Sequence, residues 1–205
     1  MARPSKMQTN GHPEPVLDRR QAVPALIERP EDFLVIAGLA GAAQELTAVS
    51  KDSPTSFPLG GAMGAAVSMA LGLALAQPKR RVLCVTGDGE LLMNLGSLAT
   101  TAAMNPPNLT IVCVDNCRYG ETGNQETHTG MGVRLDVIAE GSGIPVVHVI
   151  NTEADMAEGR RLVREGGGLS FILLRVKEGP ALREKRRFDG AWVRNRFRDT
   201  LVGAP

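Results

Sequence analysis

The chain has 205 residues, 23 Lys and Arg against 22 Asp and Glu, and 43% hydrophobic residues. That length holds one sizeable core and is short for two full domains, and the apolar content excludes wholesale disorder. A formal net charge of +1 gives no global case for a nucleic-acid binder. Residues 177–205 carry eight basic and four acidic side chains and residues 32–176 carry ten and fourteen, so a mildly acidic body precedes a basic tail.

Residues 1–15 contain three prolines and read as a disordered leader without the apolar core of a signal peptide. Residues 17–28 have helical spacing around Pro24, which predicts a short or kinked helix. Apolar strand-like runs then follow at residues 33–37, 82–85, 109–114, 146–150 and 171–176. Between them lie helical segments at 42–51, 65–77, 90–104, 135–140 and 152–165. Continuously apolar strands imply burial on both faces, as in a parallel sheet. The alternation predicts an α/β fold, a doubly wound, mostly parallel sheet with helices on both faces. The predicted domain spans residues 16–176, and the basic tail 177–205 is expected to dock on a partner. The most apolar stretch, residues 65–76, is interrupted by Ser68 and falls short of the ~20 residues that span a bilayer. Cys84, Cys113 and Cys117 are odd in number with no Cys-x-x-Cys pair, and read as buried thiols of a cytoplasmic protein. His148 lies in an apolar run and reads as a core histidine, while His12 lies in the leader and carries no signal.

In such a fold ligands bind at the carboxyl ends of the strands. Gly87-Asp88-Gly89 follows a strand and opens a predicted helix. The glycines allow a sharp turn and close backbone approach, and a helix start offers free N–H groups to an anion. Asp88 at that point can hold a cation that neutralises phosphates. The next strand runs into Asp115-Asn116-Cys117-Arg118-Tyr119-Gly120, which brings Asn116 beside Asp88 if the strands are parallel neighbours. A carboxylate, an amide oxygen and a loop carbonyl suit octahedral Mg²⁺. Taken alone, Gly-Asp-Gly is also an ordinary turn; Gly-Asp-Gly, twenty-six residues and then Asn, each after a strand, is far more specific.

That combination resembles the diphosphate-binding domain of thiamine-diphosphate-dependent 2-oxo acid decarboxylases. The likeness extends to the β subunit of sulfopyruvate decarboxylase and to phosphonopyruvate decarboxylase. It covers residues 34–149 and is carried by Gly-Gly-Ala-Met-Gly at 60–64, the run 87–100, Asn-Pro-Pro-Asn-Leu-Thr-Ile at 105–111 and Gly-Glu-Thr-Gly-Asn-Gln at 120–125. The resemblance implies thiamine diphosphate and Mg²⁺ as cofactors. By position, Asp88 and Asn116 correspond to the family's side-chain Mg²⁺ ligands and Arg118 to the one that gives a backbone carbonyl. Gly87, Gly89 and Glu90 line the diphosphate, the latter two through backbone N–H groups. Gly38 and Ala40, Gly61 and Ala62, and Tyr119 and Gly120 fall in the loops that touch the cofactor. Met63 matches the apolar residue that props the cofactor into its bent shape, although its bare sequence context fits a core methionine equally. His128 lies in the following loop, where it either assists proton transfer or is a solvated loop residue.

In this family the glutamate that activates the cofactor stands on a separate pyrimidine-binding domain, and only the diphosphate half is visible in this sequence. The expected assembly is a hetero-oligomer, α2β2 or larger, in which a partner subunit supplies that glutamate. The substrate is expected to be a small anionic 2-oxo acid. The family's Ser-Arg-Glu stands here as Ala43-Gln44-Glu45, and Cys117, Arg118 and Glu121 replace smaller residues, which leaves the anionic group open. Carboligation with the same cofactor and a non-catalytic regulatory subunit are the alternatives. A nicotinamide site is disfavoured because residues 38–43 lack Gly-x-Gly-x-x-Gly. The basic and aromatic tail, residues 183–187 with Phe188, Trp192, Arg194 and Phe197, fits partner docking better than nucleic acid.

Overall fold

A computed structural model describes residues 12–51, 53–179 and 189–203. Residues 1–11 of the expected leader and 183–188 of the tail lie outside that set. Six parallel strands form the main sheet: β1 (Leu34–Ala37), β2 (Ser56–Pro58), β3 (Val82–Gly87), β4 (Leu109–Asp115), β7 (Val146–Ile150) and β8 (Ser170–Arg175). Their order is β2-β1-β3-β4-β8-β7. A separate two-stranded antiparallel ribbon, β5 (Arg118–Tyr119) and β6 (Gln125–Glu126), rises beyond β4. The expected doubly wound sheet is the fold.

Alternation along the strands explains the two layers. Val35, Ala37, Leu83, Val85, Val112, Val114, Ile172 and Leu174 face one core, covered by α1 (Arg19–Ile27), α2 (Gly41–Ser50) and α7 (Met156–Glu165). Leu34, Ile36, Cys84, Ile111, Cys113, Phe171 and Leu173 face the other. That side is covered by α3 (Ala66–Ala76), α5 (Gly96–Met104) and α6 (Leu135–Gly141). Every residue of β1, β4 and β8 is buried, which is why these runs read as unbroken hydrophobic text. Cys84, Cys113 and Cys117 are buried free thiols, and His148 is half-buried with Nε2 at 3.0 Å from Asp155 O.

Three expectations are corrected. The helix over 90–104 is divided into α4 (Asp88–Leu91), a 3-10 turn at Leu92–Asn94 and α5. Polar contacts outside the regular ladder mark the break: Asn94 Nδ2 donates to Gly64 O and Ser97 Oγ to Asn94 O. The core does not end near Val176. A further helix, α8 (Gly190–Val202), starts on Asp189, whose side chain accepts from Trp192 N, and buries Val193 and Phe197. Phe197 meets Phe57 of β2 edge-to-face at 5.4 Å, and Arg196 Nη2 donates to Ser56 O, so α8 covers the β2 edge. Nor does the leader run free to residue 15. His12 Nε2 lies 3.3 Å from Asp136 Oδ1, and Pro13 O accepts from Arg175 Nη1 at 2.6 Å. Among the described residues no helix is long and apolar enough to cross a membrane.

Candidate active site

The β3–β4 register pairs Gly87 with Val114, so Asp88 and Asp115 leave the sheet side by side at its carboxyl edge. Both are buried, at 2% and 3% exposure. Asp88 Oδ2 accepts from Thr127 Oγ1 at 2.6 Å and from Thr129 Oγ1 at 3.1 Å. Thr129 Oγ1 also lies 2.8 Å from Asp115 Oδ1 and 2.8 Å from Thr127 Oγ1, so one hydroxyl joins the two carboxylates. Burial first, and the charge of Asp115 second, push the Asp88 carboxyl up to about 7 against the threonine hydrogen bonds that lower it.

The loop after β4 is shaped by its own polar side chains. Cys117 N donates to Asp115 Oδ1 at 3.0 Å and Arg118 N to Asn116 Oδ1 at 3.2 Å, two successive turns of the Asx type. They carry Cys117 through φ +58°, an uncommon conformation for a residue with a Cβ. Burial, then Asp115, pushes the Cys117 thiol up to about 12, which leaves it inert as a nucleophile. The loop closes where Thr127 N donates to Cys117 O. The Arg118 guanidinium is turned to carboxylates, Glu178 Oε2 at 2.9 Å and Glu126 Oε1 at 3.9 Å.

Glu90 joins the remaining loops to this centre. Its Oε2 accepts from Leu39 N and from Thr86 Oγ1, each at 3.0 Å. A Cβ on Gly38 would overlap that oxygen, so a larger residue there would have to displace the Glu90 carboxylate from these bonds. The other oxygen, Oε1, is buried with no hydrogen-bond partner among the described residues. Burial raises the Glu90 carboxyl, and the hydrogen bond from Leu39 N opposes it. Ala40 beyond has φ 60° and ψ −125°, a strained start to α2 costing of order 1–3 kcal/mol.

Gly38, Gly87, Asp88, Gly89, Glu90, Asn116, Arg118 and Tyr119 therefore converge on one end of the sheet. A Cβ on Gly89 would run into the Tyr119 ring, which packs over it. Gly61, Ala62 and Met63 lie exposed on the loop before α3, which Asn94 ties to the segment after α4. Met63 is 40% exposed and belongs to no core cluster, so the core-methionine alternative is set aside. Gly120 is exposed on the ribbon, with nothing within 4 Å of a Cβ placed there. His128 stands apart: it is exposed between buried Thr127 and Thr129, in a turn closed by Gly130 N donating to Thr127 O at 3.1 Å, and it is the two threonines that reach Asp88. Thr127, Thr129 and Asp115 are the residues that sequence reading did not single out. The Thr-x-Thr spacing is the one signal that could have found the first two.

The donor set fits a hard divalent cation. Asp88, the Asn116 amide and the Arg118 carbonyl are all oxygen donors, and a cation beside Asp88 would offset the burial and the Asp115 repulsion that raise its pKa. Among the described residues no three His, Cys, Asp or Glu side chains come together to hold a metal, so such a site would rest on this mixed set. On the loop before α3, nothing lies within 4 Å of a Cβ placed on Gly60 or Gly61.

Residues 36–173 match the family described as thiamine pyrophosphate enzyme, C-terminal TPP binding domain. The chain belongs to that family. It is 40% identical over 135 residues to sulfopyruvate decarboxylase subunit beta of Methanocaldococcus jannaschii, covering 66% of this chain and 71% of that one. The same subunit of Methanothermobacter thermautotrophicus is 44% identical over 132 residues, 64% of this chain and 70% of that one. Phosphonopyruvate decarboxylase of Streptomyces viridochromogenes is 34% identical over 154 residues, 75% of this chain and 38% of that longer one. An X-ray structure from Mycobacterium smegmatis, titled as a thiamin diphosphate-dependent enzyme, superposes with a TM-score of 0.64 at 20% identity. It covers 79% of this chain and 32% of that one, a likeness of fold. The Asp88 cluster lies wholly inside the family match.

Proposed function

We propose that this chain is the diphosphate- and Mg²⁺-binding subunit of a thiamine-diphosphate-dependent decarboxylase acting on a small anionic 2-oxo acid, sulfopyruvate- or phosphonopyruvate-like. The observation that carries the reading is a buried carboxylate, Asp88, held by two threonines at the carboxyl edge of the sheet, in a chain over 40% identical to a sulfopyruvate decarboxylase beta subunit.

Asp88, Asn116 Oδ1 and the Arg118 carbonyl would hold Mg²⁺, and the backbone N–H groups of Gly89 and Glu90 the diphosphate. When bound, thiamine diphosphate supplies the electron sink that lets a 2-oxo acid lose CO₂. The protein's part is to bind, orient and exclude water. Thr127 and Thr129 fix the Asp88 carboxylate for its cation. Tyr119 over Gly89 and the Glu90 link to Leu39 set the width of the cleft. Met63, exposed on the loop before α3, would give the bound cofactor an apolar contact. His128 lies on the outer side of the Thr127–Thr129 loop, where proton transfer to substrate requires the partner subunit to cover it. That partner supplies the activating glutamate, and the basic segment 177–205, with exposed Arg194 and Arg198 on α8, contributes to its docking.

Release of CO₂ from sulfopyruvate and phosphonopyruvate, with thiamine diphosphate and Mg²⁺, tests the reading. The chain alone should be silent and the chain with its co-purified partner active on at least one of the two. Full turnover by the chain alone would contradict the shared active site. Silence of the complex on both acids would contradict the substrate class.

A further inference from the structure

Behind Asp88 the sheet carries a row of polar residues along its carboxyl edge. Asp115 and Arg175 are register partners on β4 and β8, and the β7–β8 register brings Asn151 next to Arg175. The carboxyl edge of four neighbouring strands thus reads Asp88, Asp115, Arg175, Asn151. Arg175 is a buried guanidinium, 4% exposed. Its Nε lies 3.9 Å from Asp115 Oδ2, and its Nη1 donates to Asn151 Oδ1 at 3.1 Å and to Pro13 O at 2.6 Å. The chain before α1 is fastened to the same place: Leu17 bridges Val176 and Leu17 O accepts from Lys177 N at 2.8 Å.

Shape does not require a charge at position 115. The turn bond from Cys117 N would be accepted equally by an asparagine oxygen. A second buried carboxylate beside Asp88 is costly, and a buried ion pair adds little net stability over an apolar pair of the same shape. The 3.9 Å separation makes Arg175 a counter-charge to Asp115 rather than a hydrogen-bond donor to it. Without that counter-charge, two carboxylates joined through Thr129 would draw a divalent cation between them and leave it fewer open positions.

We propose that Asp115 and Arg175 are positioning residues of the cation–diphosphate site. Arg175 acts as the counter-ion of Asp115, so that the cation stays on Asp88 and its remaining positions face the diphosphate. The segment Pro13–Leu17 is the strap that holds Arg175 in place. This rests on Asp88 being the cation's carboxylate ligand.

Mn²⁺ as the reporter cation and inorganic pyrophosphate as the anion separate this from a merely structural role. Both affinities are measured on the full-length protein in the complex it purifies with, by electron paramagnetic resonance and calorimetry. Arg175→Met should tighten Mn²⁺ binding without anion about tenfold and weaken pyrophosphate binding at saturating Mn²⁺ about tenfold, opposite signs that loss of structure does not give. Arg175→Lys should restore both. Asp115→Asn, which keeps the turn acceptor, should weaken Mn²⁺ binding without weakening pyrophosphate, and stands in if the first variant fails to fold. Unchanged affinities, or a parallel weakening of both in Arg175→Met and in Asp115→Asn, would overturn the proposal. Asp88→Asn must abolish Mn²⁺ binding; retention there would overturn the ligand reading itself, whatever Arg175 does.

Discussion

Asp88 is the side chain on which chemistry and stability meet. Burial and Asp115 hold its carboxyl up to about 7, above the ordinary 3.8. The folded chain therefore keeps a proton that the unfolded chain releases, and stability falls as pH rises from about 4 to about 7 before levelling off. Without divalent cation, the melting temperature should drop across that window. Mg²⁺ should recover most of the loss at the upper end, and Asp88→Asn should flatten the profile. A pH-independent wild type in chelator would contradict this. At Met63, substitution by Ala should slow turnover more than it weakens cofactor binding, as a steady-state and calorimetric comparison will show; equal losses would make the methionine a simple contact. Asp88 and Asn116 were legible in the sequence because residue type and spacing both sit in contiguous text. Thr127, Thr129 and Arg175 were not, because their meaning depends on which loop and strand end the fold sets beside Asp88. His128 attracted notice for its imidazole, whereas the turn at residues 127–130 buries the threonines on either side of it.

Between elements, one buried pair and one covered edge stand out. Arg19 on α1 pairs with both oxygens of Glu45 on α2, and its guanidinium lies against Gly41, which leaves no room for a Cβ there. Burial raises the Glu45 carboxyl, with the Arg19 hydrogen bond opposing it. Removing only the guanidinium strands a buried acid: Arg19→Met should cost about 3 kcal/mol by urea denaturation. The loss should be smaller at pH 5 than at pH 8, since the unpaired acid can take a proton. A pH-independent loss would show that packing, not charge, is what matters there. Phe197→Ala should cost about 3 kcal/mol and, by uncovering Ser56–Pro58, increase self-association at a free sheet edge, read by light scattering. The long strands and α2, α3 and α7 were legible from apolar runs and spacing. β2 was not, being three residues with a proline, and α8 was not, because two apolar anchors among basic residues read as tail.

Over the whole molecule, the doubly wound sheet gathers loops from β1, β3 and β4 at one end, and the matched family's C-terminal TPP binding domain spans this stretch of chain. The fold class was legible because the central strands β1, β4 and β8 are buried along their whole length and read as apolar runs, although the edge strand β7, expected to be buried on both faces, is partly exposed with Val146 38% exposed. The expectation of a partner came only through the resemblance, and the matched relatives named as beta subunits support it. The most direct test is native mass spectrometry of the tagged full-length chain, purified from its own host with Mg²⁺ present. The account predicts a heteromer with a similarly sized partner, carrying thiamine diphosphate that is lost in Asp88→Asn. A homo-oligomer that holds the cofactor and turns over 2-oxo acids unaided, or a heteromer with no cofactor, would contradict it.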